Sequence, residues 1–209
     1  GAFVQIADGR TPWEVFKDRR FIGNHRVDPC SEELKRNLLD KWRNDNLDPA
    51  DSTVHIGIDW TEEHRLTRLQ KYVAPWRYEA PMCEPPYLSK RQMIASLEAE
   101  GIAPPRLYAM GFPHNNCGGF CIKAGQAQFA LLLAKMPERY AFHEQKEREM
   151  REYLGKDVSI MNDRRGDNKK KPLTMETFRK TIQEQGTLAF DREEWGGCGC
   201  AIDVPDESE

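Results

Sequence analysis

Thr53-Val54-His55-Ile56-Gly57-Ile58 runs straight into Asp59-Trp60-Thr61-Glu62-Glu63-His64-Arg65. The β-branched content of the first six residues marks a buried strand, and the acidic turn after them opens a helix. A strand that feeds directly into a helix is the unit of a parallel sheet. Upstream, Phe3-Val-Gln-Ile-Ala7 reads as a short strand. Thr11, Pro12 and Glu14 supply the N-cap, the first helical position and the capping-box partner of a helix to about Arg20. A second helix runs from Ser31 to Asn44, with Leu34, Leu38, Leu39 and Trp42 at helical spacing. Downstream, Trp76 to Ala80 is extended, Pro81, Pro85 and Pro86 stiffen a connection, and Ser89 caps a helix that Gly101 stops. Cys121 to Met136 is strongly helical, and Pro137 separates it from a charged helix to Leu154. Residues 162–171 read as a polar loop, and Thr174 to Gln185 as the last helix. The fold expected is α/β, a parallel sheet covered by helices on both faces, with a cysteine-rich helical C-terminal region. Its divisions are an α/β domain over 1–135, a helical region over 136–203 and a disordered acidic tail over 204–209.

With 209 residues the chain can bury a real core. Charged residues make up 31% and the formal net charge is −3, so nothing draws the whole molecule to nucleic acid or to an anionic membrane. The densest basic run, Lys169-Lys170-Lys171 after Arg164 and Arg165, reads as a solvated loop, with phosphate contact as the alternative. There is neither a bilayer-length apolar run nor a signal-peptide pattern, and a cytoplasmic location without membrane partners is expected.

Of six cysteines, four form two tight pairs, Cys117/Cys121 and Cys198/Cys200, each set among glycines. Thiols that bind metal or do redox chemistry fit this pattern better than a disulfide framework. Gly118 and Gly119 let the backbone fold tightly enough for the sulfurs of Cys117 and Cys121 to reach one metal. The amides around Gly118 and Gly119 are expected to open a helix, whose N–H groups and dipole favour thiolate there. An iron–sulfur cluster takes four thiolates and a structural zinc four Cys or His ligands. Cys30 and one C-terminal cysteine would complete the set, with His114 an alternative for zinc. Cys83 reads as a packed thiol, and His25, His55 and His143 as structural.

Three ordered segments carry a family resemblance: Asp28-Pro-Cys-Ser-Glu-Glu-Leu-Lys-Arg36, Gly57-Ile-Asp-Trp-Thr-Glu-Glu-His-Arg65, and Pro104-Pro-Arg-Leu-Tyr-Ala-Met-Gly-Phe-Pro-His-Asn-Asn-Cys-Gly-Gly-Phe-Cys121. Over residues 2–135 they resemble the phosphoadenosine-phosphosulfate (PAPS) reductase family and the related ATP pyrophosphatases that thiolate nucleic acid. The departures are a missing Ser-Gly-Gly pyrophosphate loop, one cysteine at Cys30 where iron–sulfur members have two, Cys-x-x-x-Cys in place of Cys-x-x-Cys, and Glu63-His64 where Glu/Gln-Ser is usual.

The resemblance implies a HUP/PP-loop-like fold, truncated at its N-terminus, and an enzyme of nucleotide-dependent sulfur chemistry. That chemistry is either sulfonucleotide reduction or ATP-dependent sulfur transfer to nucleic acid. It implies ATP or PAPS bound by Gly57, Asp59, Arg65 and Lys35, and a [4Fe–4S] cluster, with Zn as the alternative, on Cys30, Cys117, Cys121 and Cys198. Cys200 is then the catalytic tail thiol, although a Cys-x-Cys pair that ligates through both sulfurs stays open. Partners would be a nucleotide, a nucleic-acid substrate, a thioredoxin-like or cysteine-desulfurase protein, and an N-terminal segment or chain that completes the site, without which the enzyme is expected to be inactive. The rival expectation is a non-catalytic zinc-stapled module that binds phosphate or nucleic acid.

Overall fold

The Thr11 hydroxyl accepts from the Glu14 N–H, the Glu14 carboxylate accepts from the Thr11 N–H, and Pro12 fills the first position of the helix they start. The computed structural model describes residues 2–24, 26–163, 171–186 and 192–196. Among them, in chain order, lie α1 (Pro12–Arg19), α2 (Pro29–Ser31), α3 (Asn37–Asn46), β1 (Thr53–His55), α4 (Glu63–Gln70), β2 (Arg77–Glu79), α5 (Lys90–Ala99), α6 (Arg106–Ala109), α7 (Gln126–Lys135), α8 (Pro137–Leu154), β3 (Met161–Asp163), β4 (Lys171–Leu173) and α9 (Met175–Gln185). A π-helical turn, Glu32–Arg36, joins α2 to α3. None of the described helices is long and apolar enough to cross a membrane.

The protein is a mixed α/β chain with one small parallel pair. β1 and β2 run parallel in the register Thr53↔Arg77 to His55↔Glu79, and β3 and β4 pair antiparallel from Met161↔Leu173. The expected two-sided burial of 53–58 is not found in β1. Thr53 and His55 are exposed, and the burial falls beyond the strand, on Ile58. The stretch 3–7 is not a strand. Its apolar alternation meets no neighbouring edge among the described residues, and Phe3 stands 91% exposed. Where a polar loop was expected over 162–171, its two ends form the β3–β4 ladder; residues 164–170, like the tail, lie outside the described residues.

Over the described residues the chain resolves into two units, 2–35 with 105–196, and Arg36–Pro104. The boundary expected at 135/136 falls between α7 and α8, both in the first unit. That unit's core gathers Trp13, Phe16, Phe120, Phe129, Leu132, Tyr140 and Phe178. The core of the second is smaller, built on Ile58 and Ala80 with Leu66, Leu69 and Cys83 against them.

Within the first unit a buried carboxylate organises the C-terminal part. Glu147 of α8 is 1% exposed; one oxygen accepts from the Ile160 N–H at 3.1 Å and the other from the Met175 N–H at 2.7 Å. Met175 is the first residue of α9, so its amide has no partner inside that helix. The Tyr140 hydroxyl donates to the Met175 carbonyl at 2.7 Å. Burial holds the Glu147 carboxyl above the usual glutamate range, against the opposing pull of the two amides.

A carboxyl raised in the folded state stabilises the fold below its unfolded pKa, and that contribution is lost as pH rises through the folded value. Glu147→Gln removes the titration and sets an amide NH₂ against a backbone donor. In urea titrations the variant is expected to lose about 1–3 kcal/mol at mildly acid pH. Its deficit relative to wild type should shrink as pH rises above the ordinary glutamate range.

Candidate functional site

Cys117 sits in a backbone conformation that side chains avoid. In the turn Asn116–Gly119 its φ is 51° and ψ 22°, followed by Gly118 at φ 62° and Gly119 at φ 90°. A left-handed non-glycine residue carries strain on the order of 1–3 kcal/mol and persists only where its surroundings enforce it. Two helices do so here. Arg139 of α8 donates from Nη2 to the Cys117 carbonyl at 3.1 Å, and Gln128 of α7, fully buried, donates from Nε2 to the Gly119 carbonyl at 2.9 Å. A Cβ on Gly118 would lie 2.7 Å from Arg139 Nη2, so the guanidinium occupies the space a larger residue would need.

The expected helix start at Gly118 is not there. α7 begins at Gln126, five residues after Cys121, because residue 124 forms an isolated antiparallel bridge with Gly196. The Gly125 N–H donates to the Trp195 carbonyl at 2.9 Å and the Ala127 N–H to that of Glu194 at 3.0 Å. The dipole of a helix opening at Gly118 is therefore not available to Cys117. The Arg139 guanidinium brings positive charge to the turn.

The turn faces a small cavity of about 20 Å³, lined by Cys117 and Cys121 together with Pro12, Asp28, Cys30 and Lys123. Its volume is roughly that of one water-sized guest. Cys121 is buried, Cys30 half-buried and Cys117 exposed, and all three are thiols outside any disulfide. Lys123 Nζ stands 3.7 Å from Asp28 Oδ2, both side chains nearly out of solvent, so a buried ion pair shares the wall with the sulfurs. Among the described residues no three Cys, His, Asp or Glu side chains are arranged as the ligands of one ion. The cavity gathers three thiols without closing them on a point. His114 lies outside its lining.

Behind the cavity, Phe120 stacks on His143 with ring centroids 3.5 Å apart and planes 5° from parallel. The Trp13 indole N–H donates to His143 Nδ1 at 3.0 Å. With Nδ1 accepting, the neutral ring carries its proton on Nε2, which is buried and has no hydrogen-bond partner among the described residues. Burial, helped by the Arg139 charge, pushes the imidazole down to about 3. Sequence reading takes His143 as structural, and Tyr140, His143, Glu147 and Met150, the buried positions of α8, fall on one helical stripe.

The other candidates lie apart from the thiols in the chain. Gly57 is not forced by close packing, since a Cβ there would meet only Met82 at 3.8 Å. Asp59 caps the 3₁₀ turn Trp60–Glu62, accepting from the Thr61 N–H at 2.9 Å. Arg65 pairs with Glu62 one turn back. All three belong to the second unit, whereas Lys35 is an exposed residue of the π turn and the last of the first unit's N-terminal stretch. Cys83 Sγ lies 3.5 Å from the Ile58 carbonyl, and burial with the carboxylates of Glu63 and Asp59 pushes its thiol up. Cys198, Cys200, Lys169 and Lys170 lie outside the described residues. Compared with protein-family models, with curated proteins and with solved structures, the chain gives no match in any of the three.

Two outcomes follow from this geometry. A histidine lowered in the fold stabilises it above its unfolded value of 6.5, and that stability is lost as pH falls toward about 3. His143→Gln keeps an acceptor for Trp13 without a titrating group, so its urea midpoint should change less than wild type's across that window. A Cβ on Gly125 would come within 2.0 Å of the Glu194 carbonyl oxygen. Gly125→Ala should therefore release residues 194–196, read as faster amide hydrogen exchange at Ala127.

Proposed function

We propose that this chain is a PAPS-reductase-like enzyme of nucleotide-dependent sulfur chemistry, with a metal–thiolate centre on Cys30, Cys117 and Cys121 and a fourth sulfur from Cys198. The observation that supports it is the convergence of three thiols, from two distant stretches of chain, on one cavity. The donor chemistry fits a soft metal, because thiolates select zinc and iron–sulfur centres. A bound iron–sulfur cluster would supply electrons or an open iron to a sulfur-bearing group. The chain's own residues do the rest. Arg139 and Gln128 hold the turn that presents Cys117, Lys123 balances negative charge at the sulfurs, and the Phe120–His143–Trp13 stack keeps water from the rear wall.

In this reading Gly57, Asp59 and Arg65 serve ATP or PAPS. The parallel pair β1–β2 supports that placement, since Gly57 and Asp59 follow the carboxyl end of β1, where open α/β sheets of the HUP type bind ligands. Arg65 would have to exchange Glu62 for a phosphate or sulfate, with which it pairs in two-pronged fashion. Cys200 is then the thiol that meets the substrate or a thioredoxin-like partner. A second reading draws on the cavity's size. Room for one water-sized guest suits a single zinc ion better than four irons and four sulfides, and zinc would staple α2 to the Cys117 turn without turnover.

Anaerobic purification with iron, zinc and acid-labile sulfide analysis tests both. Stoichiometric iron and sulfide are expected for the enzyme, and zinc alone for the staple. Cys117→Ala should lose the metal and lower the thermal midpoint, because metal binding at such a centre is coupled to folding. A chain with no stoichiometric metal of any kind would overturn the reading.

A further inference from the structure

We propose that Cys117 is an oxidant-sensing thiol that closes an intramolecular disulfide with a second thiol of its own cavity, Cys121 or Cys30. The inference needs only the shared cavity, not the metal.

The three sulfurs differ in access. Cys117 is exposed, Cys30 half-buried and Cys121 4% exposed, yet all three line one space of about 20 Å³. A small oxidant from solvent meets Cys117 first, and a resolving thiol waits behind it, the arrangement of redox-sensing cysteines. The turn is gripped at its carbonyls, Cys117 O by Arg139 and Gly119 O by Gln128. Gly118 and Gly119, both at positive φ, separate Cys117 from Phe120 and Cys121. The cavity wall beside the sulfurs carries Lys123 ion-paired with Asp28, and the Arg139 guanidinium lies against Gly118. Cys83 is the internal contrast, a half-buried thiol near Glu63, Asp59, Glu62 and Glu84, whose charge opposes a sulfur anion.

The chemistry balances with a peroxide as the named oxidant. The Cys117 thiol gives up its proton as its sulfur attacks one peroxide oxygen; an S–O bond forms, the O–O bond breaks, and the departing hydroxide takes up that proton as water. The second thiol then attacks the Cys117 sulfenic sulfur; the S–S bond forms, the S–O bond breaks, and the departing hydroxide takes the attacking thiol's proton. Two thiols lose two electrons and the peroxide becomes two waters. The linkage consumes sulfurs that a metal would use, so metal and disulfide exclude each other.

The test uses the 209-residue chain, reduced, freed of reductant and treated with a small molar excess of hydrogen peroxide. One portion is first stripped of metal with a chelator, and metal content is measured on both. Peptide mapping after alkylation should show a monomer with Cys117 joined to Cys121 or Cys30, reversed by dithiothreitol. Cys83→Ser should form it as wild type does. Cys117→Ser should lose it while keeping the wild-type circular dichroism, and the wild-type map decides the matter alone if that variant does not fold. Linkage in a preparation without metal upholds this inference while the metal reading fails; linkage only after chelation upholds both. Sulfinic acid on Cys117 without a cross-link, linkage to Cys198, Cys200 or another chain, or unchanged thiols in the stripped portion would overturn it.

Discussion

Glu147 cannot satisfy both of its oxygens from its own helix, and burial denies it water. The two amides that come to it, Ile160 and Met175, decide where the chain lies after α8. One leads into β3 and the other starts α9. Bidentate pairing of Arg179 with Glu144 and the Tyr140 hydroxyl on Met175 fasten α9 to the same helix. Once α8 is fixed in this way, its opposite end is fixed too. Arg139 and His143, a turn apart, then stand where they grip the Cys117 carbonyl and back Phe120. The shape of the thiol turn thus depends on a carboxylate that never touches it.

The strain at Cys117 follows from the same dependence. An isolated turn would relax a left-handed cysteine toward an ordinary conformation. Here three neighbouring constraints hold it: the Arg139 bond, the Gln128 bond and the Phe112 ring, which would lie 3.1 Å from a Cβ on Gly119. Each comes from a different part of the first unit's core, so loosening the core anywhere along α7 or α8 changes how the exposed sulfur is presented.

What is legible in the sequence is what local chemistry decides. Thr11, Ser89 and Thr174 cap the helices their spacing predicts, Pro137 separates α7 from α8, and Gly155 ends α8 in the left-handed conformation. What is not legible depends on partners far along the chain. Residues 3–7 have the alternation of a strand but no edge to join, and the first turn of the expected helix at Cys121 is taken by backbone bonds to residues 194–196. At the site, the glycine pair and its flanking cysteines stand out in sequence, but nothing in their spacing brings Cys30 to them. Nothing in the sequence pairs Asp28 with Lys123, 95 residues on. The stripe of Tyr140, His143, Glu147 and Met150 was open to a periodicity count, and the dense charge of α8 hides it.

Over the described residues the second unit is one unbroken stretch, Arg36–Pro104, between two pieces of the first. During synthesis α1 therefore emerges long before α8, one of the surfaces it packs against. The Trp13–His143 bond spans 130 residues, which at a ribosomal pace of 5–20 residues per second is a delay of roughly ten seconds. Through that interval Val15 and Phe16, wholly buried in the finished fold, have no core to enter, and the nascent chain must carry them while the intervening unit is made. The time of greatest exposure to misassembly is thus set by the order in which the pieces are encoded, and a strengthened core alone does not shorten it.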